Sequence, residues 1–238
     1  MLATCLYGQK AIAPAELTRE QLEQELDAYR RALLDWASLT RYGSDNAELK
    51  PPRPGENRVV FLGDEITEQW PRAFFEGKPY INRGILRQTS AQMLVRFRQD
   101  VIDLHPKVVV IEAGSNDVAS VMGPATEYQI TDNLASMIEL AKAHRIKVVI
   151  AAVPPVCDCA GQIQTLRRVP GKIIGLNGTL EQMAQEVGVV FADFYKPLAQ
   201  GRLMNRDLTV DGLLPNQAGY AKLGPVVERA IQEALADH

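Results

Sequence analysis

Carboxyl groups crowd a few short stretches of this chain. Gly63-Asp64-Glu65-Ile66-Thr67-Glu68 holds three of them. Glu112 stands just before Gly114-Ser115-Asn116-Asp117, and Asp211-Gly212-Leu213-Leu214-Pro215-Asn216 adds another late in the sequence. Neighbouring carboxyls whose surroundings push their pKa values apart can act as one acid and one base, as in glycosidases. Glu65, with Asp64, Asp211 and Glu112 as partners, is the first candidate for such work. A helix N-terminus beside Glu65 would favour its charged form, whereas burial and like charges would oppose it. A nucleophile activated by histidine has little to draw on. The histidines are His105, His144 and His238. The first two stand just before apolar, β-branched runs, and the third is the last residue. Cys157-Asp158-Cys159 lacks a second cluster at metal-ligand spacing, so two loop thiols, one of them packed, are expected and no metal.

The elements that must position these groups alternate regularly. Strands are expected at Arg58–Leu62, Tyr80–Arg83, Val108–Glu112, Lys147–Val153 and Val189–Phe194. Helices lie between them. Thr89 with Gln92 and Thr126 with Gln129 form capping boxes, Pro170 suits a first turn, and Gly188 suits an end. Asn216 opens the last helix, in which Pro225 predicts a kink or break. Near-continuous apolar strands alternating with helices mean parallel strands covered on both faces. The fold class is therefore α/β: a three-layer α/β/α sandwich, flavodoxin-like, with about five parallel strands and the first of them central. Sites in such folds lie at the carboxyl ends of the strands, where Glu65 and Asn116 fall. Both internal histidines belong at the opposite end.

Upstream, Leu22, Leu26, Tyr29, Leu33 and Trp36 recur at spacings of four and three behind a Thr18–Gln21 capping box. This stripe is expected to pack on the body of the protein. Residues 1–57 thus read as a helix and proline-rich linker docked on a core spanning 58–238, one domain overall.

The blocks GDEITE, NRG, GSND and DGLLPN, in this order, resemble the SGNH (GDSL) hydrolase family. The flanks FLGDEITEQW, KPYINRGI and PNQAGY are similar to its carbohydrate-esterase and platelet-activating-factor-acetylhydrolase-like branch. The resemblance implies an ester hydrolase. Gly84 and Asn116 would be oxyanion donors, and Asp211 would orient a catalytic histidine. The nucleophile position, however, holds Glu65 where the family has serine, and the base position holds Leu214 where it has histidine. Leu86-Arg87 and Glu112 replace residues that are small and apolar, respectively, in relatives. Two outcomes are open at Glu65: like charges keep one carboxyl of the group protonated near neutrality, or Arg87 pairs with Glu65 and plugs the pocket; Glu112 is expected to pair with Arg83 or Arg87, or to serve as a second acid.

Three functions follow: a pseudo-hydrolase that binds a small acyl or carbohydrate ligand, an altered enzyme using Glu65 with Asp211 or Glu112, or a residual esterase. No cofactor is implied. Lys and Arg total 26 against 29 Asp and Glu, which leaves no basic excess for nucleic acid. No apolar run is long enough to span a membrane. The start, MLATCLYGQKAIAP, lacks a basic segment followed by a long apolar one, so a cytoplasmic location is the default expectation, and secretion is expected instead if the chain is a clipped piece.

Overall fold

A computed structural model describes residues 18–236. Its frame is a parallel sheet of β1 (Val59–Gly63), β2 (Tyr80–Gly84), β3 (Val108–Glu112), β4 (Lys147–Ala151) and β5 (Val190–Ala192), in the order β2-β1-β3-β4-β5. β3 is therefore the middle strand, and β1, expected there, lies beside it. Strands β1 and β3 are buried along their whole length, which is why they carry no polar alternation.

The helices named from capping signals form where expected. α4 (Ser90–Asp100) and α6 (Glu127–Ala143) each begin with the anticipated capping box. α7 (Pro170–Val187) starts on Pro170 and ends on Gly188, which is left-handed at φ 66°. Two short helices open directly from strand ends: α3 (Glu65–Glu68) after β1 and α5 (Ser115–Val118) after β3. A two-stranded hairpin, β6 (Ala199–Gln200) and β7 (Leu203–Met204), precedes α8 (Gln217–Ala236). Pro225 does not break α8. Leu223, Val227 and Ile231 are fully buried around it, and that packing outweighs one lost backbone hydrogen bond.

The N-terminal region departs from expectation. Helix α1 (Arg19–Leu34) forms, and Thr18 and Gln21 cap it. Its stripe does not pack on the body: Leu22, Leu26 and Leu33 are 44, 51 and 79% exposed. Among the described side chains, anchoring begins after the helix. Ala37 and Tyr42 are buried, and Asn46 of α2 (Gly43–Glu48) bonds the Gln99 carbonyl and Asp100. His238 lies outside the described residues, as does the side chain of Tyr29. Among the described residues, no helix is long and apolar enough to cross a membrane.

Candidate functional site

The turn from β1 into α3 is held from several sides. Gly63 leaves room for Thr67, whose side chain a Cβ would strike. Asp64 caps α3 by accepting the Ile66 N–H at 2.9 Å. Tyr220 of α8 donates its hydroxyl to the Ile66 carbonyl at 2.8 Å. Arg96, fully buried in α4, donates to the Gly63 carbonyl at 3.1 Å and pairs with Asp100 at the same distance. This clamp delivers Glu65 to the carboxyl end of the sheet.

Glu65 is almost wholly buried, at 3% exposure, and fully engaged. Its Oε2 accepts the Asn116 amide at 2.8 Å and the Arg87 backbone N–H at 2.7 Å. Its Oε1 lies 3.5 Å from the guanidinium of Arg168. Arg168 also donates to Asn116 Oδ1 at 2.8 Å and to Ser115 Oγ at 2.9 Å. One backbone donor, an amide and a buried cation at this spacing form a receptacle for an anion, and the carboxylate of Glu65 is the anion in it.

Several expected assignments shift. The pairing guanidinium belongs to Arg168; Arg87 contributes its backbone N–H, presented by a left-handed conformation at φ 65°. Gly84 does not face the site with a free donor, because its N–H is taken by Asn82 Oδ1 at 2.8 Å. Glycine is needed there for close approach: a Cβ would lie 2.1 Å from the Glu68 nitrogen. Arg83 does not meet Glu112. It stacks on Tyr42 at 4.6 Å and bonds Asn46.

Glu112 turns instead toward Asp64 and Thr67, with the Thr67 hydroxyl 3.4 Å away. Burial pushes both carboxyls up, Asp64 strongly and Glu112 to about 7, and each lies in the field of Glu65. Two carboxyls buried side by side resist being ionised together. Asp117, next to Asn116, accepts from the Ser90 N–H and hydroxyl, and burial raises it as well.

The last block is less engaged. Asp211 Oδ1 accepts the backbone N–H groups of Leu213 and Leu214 at 2.9 and 2.7 Å. Its carbonyl reaches the pocket through Gln164, which lies 3.3 Å from Arg168. Leu214 packs against the core. His105 and His144 line a cavity at the amino end of the sheet, away from Glu65. Cys157 and Cys159 are joined in a disulfide, not free thiols; Cys157 is buried, and its N–H bonds the Gly212 carbonyl at 2.9 Å, under the Asp211 loop. Among the described residues, no group of three or more His, Cys, Asp and Glu is arranged to hold a metal ion.

The model of the GDSL-like lipase/acylhydrolase family matches residues 38–222. The chain belongs to this family. Within the GDSL family it is similar to esterase TesA of Pseudomonas aeruginosa, 32% identical over 167 residues, which are 63% of this chain and 81% of that protein. A GDSL-like lipase from Bacteroides thetaiotaomicron is 42% identical, with a TM-score of 0.77, and covers 83% of this chain and 98% of its own. A proposed acylhydrolase from Bacteroides fragilis reaches the same identity and a TM-score of 0.80, over 84% and 99%. An acetylxylan esterase from Geobacillus stearothermophilus, 21% identical with a TM-score of 0.60 over 77% of this chain and 96% of its own, shares the fold. Arg168 was missed from sequence because it sits in an irregular loop before α7. The signal that could have found it is electrostatic: a buried Glu65 demands a cation, and Arg167-Arg168 is the nearest basic pair to the opening of α7.

Proposed function

We propose that this GDSL-family chain has given up ester cleavage by an acyl-enzyme route and serves as a binding protein. The observation that carries this reading is Glu65 seated on the Asn116 amide, the Arg87 N–H and Arg168. A tetrahedral intermediate would need those donors for its oxyanion. A carboxylate already there repels a second negative charge at about 4 Å by ~4 kcal/mol at an effective dielectric of 20. Each ~1.36 kcal/mol is tenfold in rate. Leu214 supplies no proton acceptor, and Asp211 is spent on its own loop.

Binding falls to the neighbouring cavity of about 340 Å³, lined by Trp36, Thr89, Asp117, Met122, Gln129 and Asn133 among others. An aromatic face beside amide and carboxyl groups, with no lining cation, suits a small neutral saccharide or an acylated one. The alternative, an altered enzyme with Glu65 and Glu112 or Asp211 as acid and base, draws on the raised pKa of Glu112. The burial of Glu65 and Glu112, at 3 and 1% exposure, argues for the binding reading.

The test assays short-chain aryl esters and, separately, oligosaccharide quenching of Trp36 fluorescence against a Trp36→Phe control. Wild type is expected to show no turnover above a heat-denatured sample, and Glu65→Ser with Leu214→His is expected to gain some, since nucleophile and base act as a unit. Wild-type turnover abolished by Glu65→Ala would replace this reading with the altered enzyme.

A further inference from the structure

Helix α1 presents an apolar seam that the described body of the protein leaves uncovered. Leu22, Leu26 and Leu33, with position 29 completing the spacing in sequence, recur at intervals of four, three and four. That is the 3.5-residue repeat of a two-helix seam, narrower than the stripe of a helix lying on a globular core. Leu33 and its neighbour Leu34 are 79 and 87% exposed. Leaving several leucines in water on one face is costly for a lone chain.

The charges beside the seam select the occupant. Along α1, acidic Glu20, Glu23, Glu25 and Asp27 precede basic Arg30 and Arg31, with Arg19 at the start. The helix therefore has an acidic first half and a basic second half, and it complements a reversed copy of itself. Place two such helices antiparallel with Leu22 of one opposite Leu33 of the other. Leu26 then meets position 29 of the other copy, and Glu23 of each falls beside Arg30 of the other, on the same flank of the seam. Both side chains are exposed and reachable, and each makes an intrahelical pair, Arg19–Glu23 at 3.0 Å and Arg30–Asp27 at 3.7 Å, that it can share. A two-fold axis through the middle of the seam makes the contact self-complementary. A lipid surface fits less well, because α1 carries more acidic than basic residues.

We propose that this face of α1 docks a second copy of the chain, the two helices antiparallel with reciprocal Glu23–Arg30 pairs flanking a leucine seam. The proposal stands apart from the reading of the Glu65 site, from which α1 is separate. Sedimentation of the full chain over a wide concentration range tests it. Wild type is expected to dimerise reversibly, and Leu26→Glu with Leu33→Glu to stay monomeric and folded, with a thermal midpoint that no longer rises with protein concentration, because neither leucine belongs to the core. Glu23→Arg alone and Arg30→Glu alone should each weaken the dimer by roughly three- to tenfold at low salt. Mixed in equal amounts, those two variants should regain wild-type affinity, because each then offers what the other lacks. A parallel pair would not regain it, since Glu25 of one chain would face the new glutamate of the other. Wild type that stays monomeric up to millimolar concentration overturns the proposal, as does a dimer that survives both leucine substitutions or single variants that fail to recover on mixing. Wild type that remains monomeric yet sediments with phospholipid vesicles would assign the seam to a lipid surface instead.

Discussion

The β1–α3 turn and the Asp211 loop each carry one residue of the proposed altered site, Glu65 and Leu214, yet the two regions are built differently. At the turn, Glu65 is a buried charged group, and its surroundings hold it. Arg168 comes in from the loop before α7, Asn116 turns its amide to the carboxylate, and Arg87 offers a backbone N–H. At the loop, Leu214 is an apolar side chain with no charge to hold. Leu214 joins the core, and Asp211 folds back on the N–H groups of Leu213 and Leu214. The difference follows from desolvation. A buried charge must find partners or be expelled, whereas a leucine at a half-buried site only needs neighbours. Glu65 therefore anchors a network of buried polar interactions, whereas Leu214 contributes packing alone.

That contrast can be broken most forcefully at Arg168. Arg168→Ala should cost about 3–5 kcal/mol in chemical denaturation, because it strands the Glu65 carboxylate, and adding Glu65→Gln should return much of the loss. Equal stability of the parent and Arg168→Ala would mean that the turn depends on its buried partners no more than the loop does. The next effect lies beneath the turn. Glu112 is raised from 4.5 to about 7, chiefly by burial, so the folded protein binds a proton there that the unfolded chain releases. Stability from this group is complete below about 4.5 and is lost as the pH rises through about 7. Glu112→Gln should flatten that fall and gain about 1–2 kcal/mol at pH 8, read as unfolding midpoints across a pH series. The smallest effect belongs to the Asp211 loop. Asp211→Asn should cost less than about 1 kcal/mol, since the amide oxygen still accepts both N–H groups; a larger loss would show that Asp211 retains a partner in the site.

Much of the frame was legible in the sequence because it depends on local signals. Capping boxes at Thr89 and Thr126, Pro170 and Gly188 at the two ends of α7, and apolar runs for β1 and β3 each state a physical requirement within a few residues. The convergence of Glu65 and Asn116 followed from both standing after parallel strands. The rest depended on long-range geometry. Arg168 lies 103 positions beyond Glu65 in an irregular loop, and periodicity says nothing about such a pairing. Gly84 was read as a donor from the family resemblance, and only Asn82 Oδ1 on its nitrogen and Glu68 against its Cα assign the glycine to close packing instead. The stripe on α1 was correctly seen as apolar and wrongly given a partner, since amphipathicity predicts that a face is covered without saying by what.

The central claim is that the Glu65 side chain is the resident anion of a preformed receptacle. Removing it as Glu65→Ala leaves the Asn116 amide, the Arg87 N–H and Arg168 converging on a space the size of a small carboxylate. Titration with formate, followed by amide chemical shifts around Arg87 and Asn116 and by the thermal midpoint, tests this directly. Formate should bind the variant, shift those signals and raise its midpoint toward that of wild type, while wild type shows neither response. Formate that leaves the variant unchanged, or that shifts both proteins alike, would contradict the claim.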